Sequence, residues 1–224
     1  STKNGAKIQQ YSWNGSNAQK WMVDSNGQGA YRIISALSAS CVLDLAGAST
    51  SNATNVQLYA NNGTAAQLWR LIQITQTLDD GYYTVASKKS SKVIDVAGGS
   101  IENGGNVQQY DGNGTLAQTL RITWNEDSGY YTLMDAVSGK VLDVAGGSNV
   151  DKANVQQYAA NSTAAQKWVI SNNGDGSYTF ISAVGGKVLD VAGGSTRNGA
   201  NVQIYSWNGS NAQKWIITAN SNWL

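Results

Sequence analysis

The chain has 224 residues, a formal net charge of +1 and 13% charged residues, with no His, no Pro and a single Cys. This balance excludes the basic footprint of a nucleic-acid binder, and the lack of His excludes histidine-dependent triads and histidine metal sites. No apolar run approaches the ~20 residues that span a bilayer, and Cys41 alone cannot form an intrachain disulfide, so the core must hold the fold unaided.

Taken in chain order, the sequence is a repeat. Residues 1–23 form a half unit that ends in Ala18-Gln19-Lys20-Trp21 and matches residues 195–217 closely. The string Val-Leu-Asp-Val-Ala-Gly-Gly-Ser then marks each unit. It occurs loosely at 42–49, closely at 93–100, and intact at 141–148 and 188–195. Each copy is followed by Asn-Val-Gln-x-Tyr and by Ala-Gln-x-Trp, or once Ala-Gln-x-Leu at Leu120. The Asp positions, 44, 95, 143 and 190, are spaced by 51, 48 and 47 residues. Asp to Tyr is 15 residues in all four full units, and Tyr to the next Gln is 8 in all five. A period of that length is the signature of a repeat architecture. Fixed spacing inside units and slack between them is what packed units joined by surface loops show.

Each unit reads as four short strands. In the last unit these are Tyr178 to Ser182, Lys187 to Val191, Asn201 to Tyr205 and Gln213 to Thr218. Turn signals separate them, namely Gly185-Gly186, Gly193-Gly194, Asn198-Gly199 and Asn208-Gly209. No segment holds a 3.6-residue apolar period, so no long helix is expected. Strand alternation puts Leu189 and Val191 on one face and Asp190 on the other, with Val188 and Ala192. It likewise sets Val202 and Ile204 against Asn201, Gln203 and Tyr205. With the apolar pairs inward, Asp190, Gln203 and Tyr205 point outward together. The same holds at 44/57/59, 95/108/110 and 143/156/158. Gln109 and Gln157 fall at inward positions, which makes that face less uniformly apolar. Trp21, Trp69, Trp168 and Trp215 read as core, with Leu120 keeping the apolar role. Trp13 and Trp207 read as exposed.

A carboxylate, a primary amide and an aromatic ring on one surface suit a pyranose. The ring packs on the sugar C–H face, and the carboxylate accepts charge-assisted bonds from hydroxyls. The amide both donates and accepts. The candidate sites are Asp44, Gln57, Tyr59 and Asn62; Asp95, Gln108, Tyr110 and Asn113; Asp143, Gln156, Tyr158 and Asn161; and Asp190, Gln203, Tyr205 and Asn208. Competing readings stay open for each. The Asn is also the usual first residue of a turn, the Asp a cap for the Gly-Gly loop, and the Tyr a half-buried sheet residue.

On these motifs the whole chain resembles the ricin B-type lectins, also called family 13 carbohydrate-binding modules. The resemblance implies an all-β fold, a β-trefoil of three four-stranded repeats around a pseudo-threefold axis. This chain would hold four complete repeats of about 48 residues and one half repeat. It also implies sugar contacts from the Asp, the third-strand Gln and aromatic, and an Asn just before Gln-x-Trp. Here Ala18, Ala66, Ala117, Ala165 and Ala212 hold that last position. Asn17 and Asn211, or the Asn after the Tyr, are the available substitutes.

Four and a half units do not divide into threes. The longest junction runs from Trp69 to Tyr83, which sets a boundary at 72/73. Residues 73–224 would be a complete trefoil. Residues 1–72 would be a partial one, the half repeat 1–23 plus one full repeat, completed by missing residues or by strand exchange in a homo-oligomer. The alternative division keeps residues 1 to about 145 as a permuted trefoil. One acid per repeat does not make a glycosidase pair, and no phosphate loop is present. The expectation is a non-catalytic carbohydrate-binding module with several weak sites. It would be part of a larger secreted bacterial protein, with no metal, no cofactor, no nucleic-acid partner and no membrane insertion. The second expectation is a structural module with degenerate sugar sites.

Overall fold

The computed structural model describes residues 1–51, 53–71 and 75–220. The chain forms two compact units, Ser1–Ile72 and Gln73–Leu224. Every regular element among the described residues is a short strand or a single 3₁₀ turn. The composition explains this. Runs of Val, Ile, Tyr and Thr are broken every few residues by Gly or Asn, which leaves no room for a helical nucleus.

In the first unit, β1 (Ala6–Lys7), β2 (Trp21–Ser25), β3 (Tyr31–Ser35), β4 (Cys41–Leu45) and β5 (Val56–Ala60) form one antiparallel sheet. Its order is β1-β5-β4-β3-β2. An isolated bridge joins Tyr31 to Trp69, where the fourth strand of the full repeat would run.

The second unit holds three repeats. The first has β6 (Gly81–Ser87), β7 (Val93–Val96), β8 (Gly105–Tyr110) and β9 (Leu120–Asn125). The next has β10 (Tyr130–Asp135), β11 (Val141–Val144), β12 (Ala153–Tyr158) and β13 (Trp168–Asn172). The last has β14 (Tyr178–Ser182), β15 (Val188–Val191), β16 (Ala200–Tyr205) and β17 (Trp215–Ala219). First and fourth strands close a ring: β6 pairs with β9, β9 with β10, β10 with β13, β13 with β14, β14 with β17, and β17 with β6. Closure removes the free sheet edges that an open sheet exposes. Second and third strands form the hairpins β7-β8, β11-β12 and β15-β16. The third strands β8, β12 and β16 pair with one another, the first two residues of each against later residues of a neighbour, and cap the barrel as a triangle. A six-stranded barrel capped by three hairpins is a β-trefoil.

Asparagines sit at the centre of the triangle. Asn154 Nδ2 donates to Asn106 Oδ1 at 3.1 Å, and Asn201 Nδ2 to Asn154 Oδ1 at 2.9 Å. Beneath them lie Val107, Val155 and Val202, then Ile122, Leu133, Leu142, Ile170, Phe180, Leu189, Trp168 and Trp215, all fully buried in one cluster.

The inward glutamines are seams between repeats. Gln109 Nε2 donates to the carbonyls of Ser195 and Arg197 at 2.9 and 3.0 Å, and its Oε1 accepts from Ser90 at 2.7 Å. Gln157 does the same with Ser100, Glu102 and Ser138. Both are fully buried and fully bonded, the condition under which a buried amide is tolerated. Ile204 fills the third equivalent position with apolar contact.

Three sequence expectations change. Fourth strands start at the Trp or Leu, and the Gln of Gln-x-Trp lies in the preceding 3₁₀ turn, as in Asn211–Gln213. Val188, Leu189, Asp190 and Val191 are all buried, so the hairpin strands have no solvent face for Asp190 to occupy. Trp168, Trp215 and Leu120 are core, whereas Trp21 and Trp69 of the first unit are only half-buried. The first unit lacks the closed barrel that covers their counterparts.

Candidate functional site

The site starts from strand register. Asp44, Asp95, Asp143 and Asp190 stand directly opposite Gln57, Gln108, Gln156 and Gln203 across each hairpin. Each Gln Nε2 donates to its Asp, at 2.7, 2.8, 3.0 and 2.8 Å in turn. The four carboxylates are 5, 7, 5 and 6% exposed, so the outward placement read from alternation is replaced by burial beneath the Gln-x-Trp turn.

That turn is the clamp. Gln67, Gln118 and Gln166 each donate to the second Asp oxygen at 3.1 Å. The same amides donate to the carbonyls of Ala60, Asp111 and Ala159 at 2.9 Å, and Gln213 donates to Ser206 at 3.0 Å. Their Oε1 atoms accept the backbone N–H of Asn62, Asn113 and Asn161 at 2.9, 2.8 and 2.7 Å, and Gln213 accepts that of Asn208 at 2.8 Å. The following indoles of Trp69, Trp168 and Trp215 donate to the carbonyl before the Asp, at 3.1, 3.2 and 3.2 Å. One motif therefore fixes the acid, the segment after the Tyr and the core together. This Gln is the residue that sequence reasoning missed as part of the site, although its recurrence was the available signal. The Asp as a cap for the Gly-Gly loop is not what the structure shows; its bonds go to two side-chain amides.

Burial pushes the Asp190 carboxyl above its ordinary range. The amides of Gln203 and Gln213 oppose that rise, and Asp151 adds to it.

The candidate residues do converge. In the middle repeat Asp143, Gln156, Tyr158 and Asn161 line one open cavity of about 560 Å³, with Gly146, Gly147, Thr163, Ala164, Ala165 and Val184 of the next repeat. Gly146 and Gly147 take left-handed backbone at φ 63° and 59°, which glycine adopts without a steric penalty. Tyr110 and Tyr158 are 40 and 38% exposed, and Tyr59 and Tyr205 are half-buried. The oxygen of each Asn is committed to a turn. Asn62, Asn113, Asn161 and Asn208 accept the N–H of Thr64, Thr115, Thr163 and Ser210 at 3.0–3.1 Å. The amide nitrogen is what each can offer a ligand. Ala165 and Ala212, at the position where the resemblance implies Asn, pack into the core cluster. Among the described residues no group of three or more acids or Cys could hold a metal.

The class defined by this fold and cavity is a trefoil of lectin type. The family described as ricin-type beta-trefoil lectin domain-like matches residues 1–59, 29–110, 65–158, 116–205 and 164–223, and the chain belongs to that family. Among solved structures it is similar to a designed 3-fold symmetric protein, ThreeFoil, at 40% identity and a TM-score of 0.61, covering 63% of this chain and 100% of that one. A mosquitocidal holotoxin matches at 26% identity and a TM-score of 0.61, over 97% of this chain and 26% of its own. The Rhizoctonia solani agglutinin matches at 25% identity and a TM-score of 0.58, over 65% of this chain and 99% of its own. No curated protein matches the chain.

Proposed function

We propose that the repeats present shallow, non-catalytic carbohydrate sites of galactose or xylose type, and that the chain acts by multivalent binding to glycans or polysaccharide. The observation that carries this reading is the convergence of Asp143, Gln156, Tyr158 and Asn161 on one cavity. The carboxylate there has two donors from the protein and retains acceptor lone pairs for hydroxyls. The half-exposed Tyr158 ring offers the apolar face that a pyranose stacks on. Weak single sites gain strength when several engage one polymer. The similarity to an agglutinin supports the same reading. A sparsely charged surface rich in amides and hydroxyls supports a secreted protein that works outside the cell.

Replacing the acids is a poor test, because Asp→Ala would strand two buried Gln donors and destabilise the hairpin. The better variant is Tyr110→Ala, Tyr158→Ala and Tyr205→Ala together, assayed on a glycan array. The expected outcome is a sharp drop in avidity, with only the Tyr59 site remaining, and an unchanged melting temperature. Undiminished binding by the triple variant overturns the site.

One observation favours a second reading, that of a structural module. Each Asp is held by two amides of its own repeat, and an Ala stands where the resemblance implies a sugar-binding Asn. Silence of the unmodified chain across the array would select it.

A further inference from the structure

In the middle repeat one wall of the candidate cavity comes from the next repeat. It is Val184, which follows β14 and stands with Gly147 and Ala165. Two backbone bonds fix its place. The Val184 N–H donates to the Ser182 hydroxyl, and the Ala183 N–H to the Lys167 carbonyl at 2.9 Å. The same bonds recur where the last repeat meets the first. The Lys89 N–H donates to the Ser87 hydroxyl, and the Lys88 N–H to the Lys214 carbonyl at 2.8 Å. Because the barrel is closed, Lys89 holds the wall position of the Asp190 cavity. Val137, whose N–H donates to Asp135, holds it beside Asp95. Two walls are apolar, and the third carries an ammonium.

The Lys89 side chain runs into that cavity. A methyl group built on Gly194 would meet Lys89 Nζ at 2.7 Å and the Ala212 methyl at 3.7 Å. On Gly99 and Gly147, the equivalents in the other two repeats, it would meet nothing within 4 Å. Gly194 and Ala212 are the counterparts of Gly147 and Ala165 in the middle cavity. The ammonium thus lies between the Gly-Gly turn and the Gln-x-Trp turn. Lys89 is exposed, and among the described residues it forms no ion pair, with Asp190 or any other acid. Its neighbours Lys88 and Lys214 share Asp175, at 2.9 and 3.2 Å. Three lysines against one carboxylate leave this rim of the cavity positive.

We propose that Lys89 makes the Asp190 cavity a site for sugars that carry an acidic group, a carboxylate or a sulfate, while the cavities walled by Val137 and Val184 take neutral sugars. This rests on the carbohydrate reading of the sites. The two charges divide the work by depth. Asp190, 6% exposed and bonded to Gln203 at 2.8 Å, lies at the floor and accepts from hydroxyls. Lys89 stands at the rim with three donors for an anionic oxygen. Its flexible stem lets the head swing aside for the ring and return to the acidic substituent. It breaks no ion pair within the protein in doing so.

The test uses the full chain with Tyr59→Ala, Tyr110→Ala and Tyr158→Ala, which keeps only the Asp190 cavity of the four. The ligands are methyl galactoside, methyl galacturonide and the primary sulfate ester of methyl galactoside, which differ at one carbon. Methyl xyloside and methyl glucuronide form a second matched pair. At low salt at least one acidic ligand should bind about 10-fold more tightly than its neutral partner, and the advantage should shrink as salt screens the pair. Lys89→Val, which installs the residue of the other two walls, should bring that ratio to about one, and Lys89→Arg should keep it. The carboxylate and sulfate ligands show which acid is preferred. Neutral sugars that bind as well as every acidic one overturn the proposal and leave the carbohydrate reading standing. So does a preference that survives Lys89→Val, since the anion is then held elsewhere. So does tighter binding of neutral and acidic ligands alike by Lys89→Val, since the lysine then only fills the cavity. Binding of none of the five ligands, with Lys89 or with Val in its place, removes the carbohydrate reading of this cavity and the proposal with it.

Discussion

At the residue scale the instructive side chain is Gln166. Three hydrogen-bonding partners meet on its side-chain amide: Asp143, the Ala159 carbonyl and the Asn161 N–H. Gln166→Leu keeps the volume and removes three hydrogen bonds, one of them to the buried Asp143 carboxylate. It should cost about 1–3 kcal/mol for each group left unsatisfied, read as a lower urea midpoint. Asp190 makes a second prediction. Its carboxyl is raised, so its contribution to stability is present at low pH and is lost as pH rises through the raised pKa. Sugar binding needs the charged form, so the Asp190 site should lose its ligand on acidification at a higher pH than that of free Asp, about 3.9. Titration of a variant lacking Tyr110 and Tyr158, which isolates this site in the second unit, checks it. Loss of binding only below that value would count against the role of the acid.

At the element scale the Gly-Gly turn after each second strand sets the floor of the cavity. Both glycines are left-handed in three repeats, whereas the copy in the first unit ends in Ala48, at φ 50°. A side chain in that conformation costs roughly 1 kcal/mol. Gly147→Ala should therefore destabilise the second unit by about 1 kcal/mol, and Ala48→Gly should stabilise the first by a similar amount, both measurable by denaturant titration. The four-stranded unit and its turns were legible because Gly and Asn pairs interrupt β-branched runs at regular intervals. The faces of the hairpin strands were not. Alternation assigns faces when one side is wet, and β15 is covered on both, so Asp190 and Val188 gave the same pattern as a surface strand. The clamp was also hidden. Gln213 sits next to an apolar run and reads as the start of the strand, and nothing local shows that a 3₁₀ turn lifts it over Asp190. The grouping of Asp, Gln and Tyr was legible because it depends on register alone.

At the scale of the whole molecule, the repeats of the second unit are fastened to one another in a cycle. Asn103 accepts the Ala159 N–H, Asp151 that of Ser206, and Asn198 that of Asp111. Two of these junctions carry ion pairs, Lys92 with Asp111 and Lys187 with Asp151. Hydrogen bonds from Lys92 and Asn198 hold the Asp111 carboxyl below its ordinary range, and Lys187 does the same for Asp151. A depressed pKa contributes stability that is present above the unfolded value and lost as pH falls through the folded one. The second unit should thus weaken on acidification below about pH 4. Lys92→Ala should flatten that slope, and an unchanged slope would show that the pair contributes nothing.

Leu120 breaks the threefold symmetry of the core, and this has an optical consequence. Trp168 and Trp215 are fully buried indoles, each hydrogen-bonded to a backbone carbonyl, while the equivalent place in the repeat of Asp95 is dark. Emission from the barrel interior therefore reports on two of its three repeats. With Trp215 kept and the other seven tryptophans, Trp124 beside the core among them, replaced by Phe, the opening of a single repeat can be followed by its light alone.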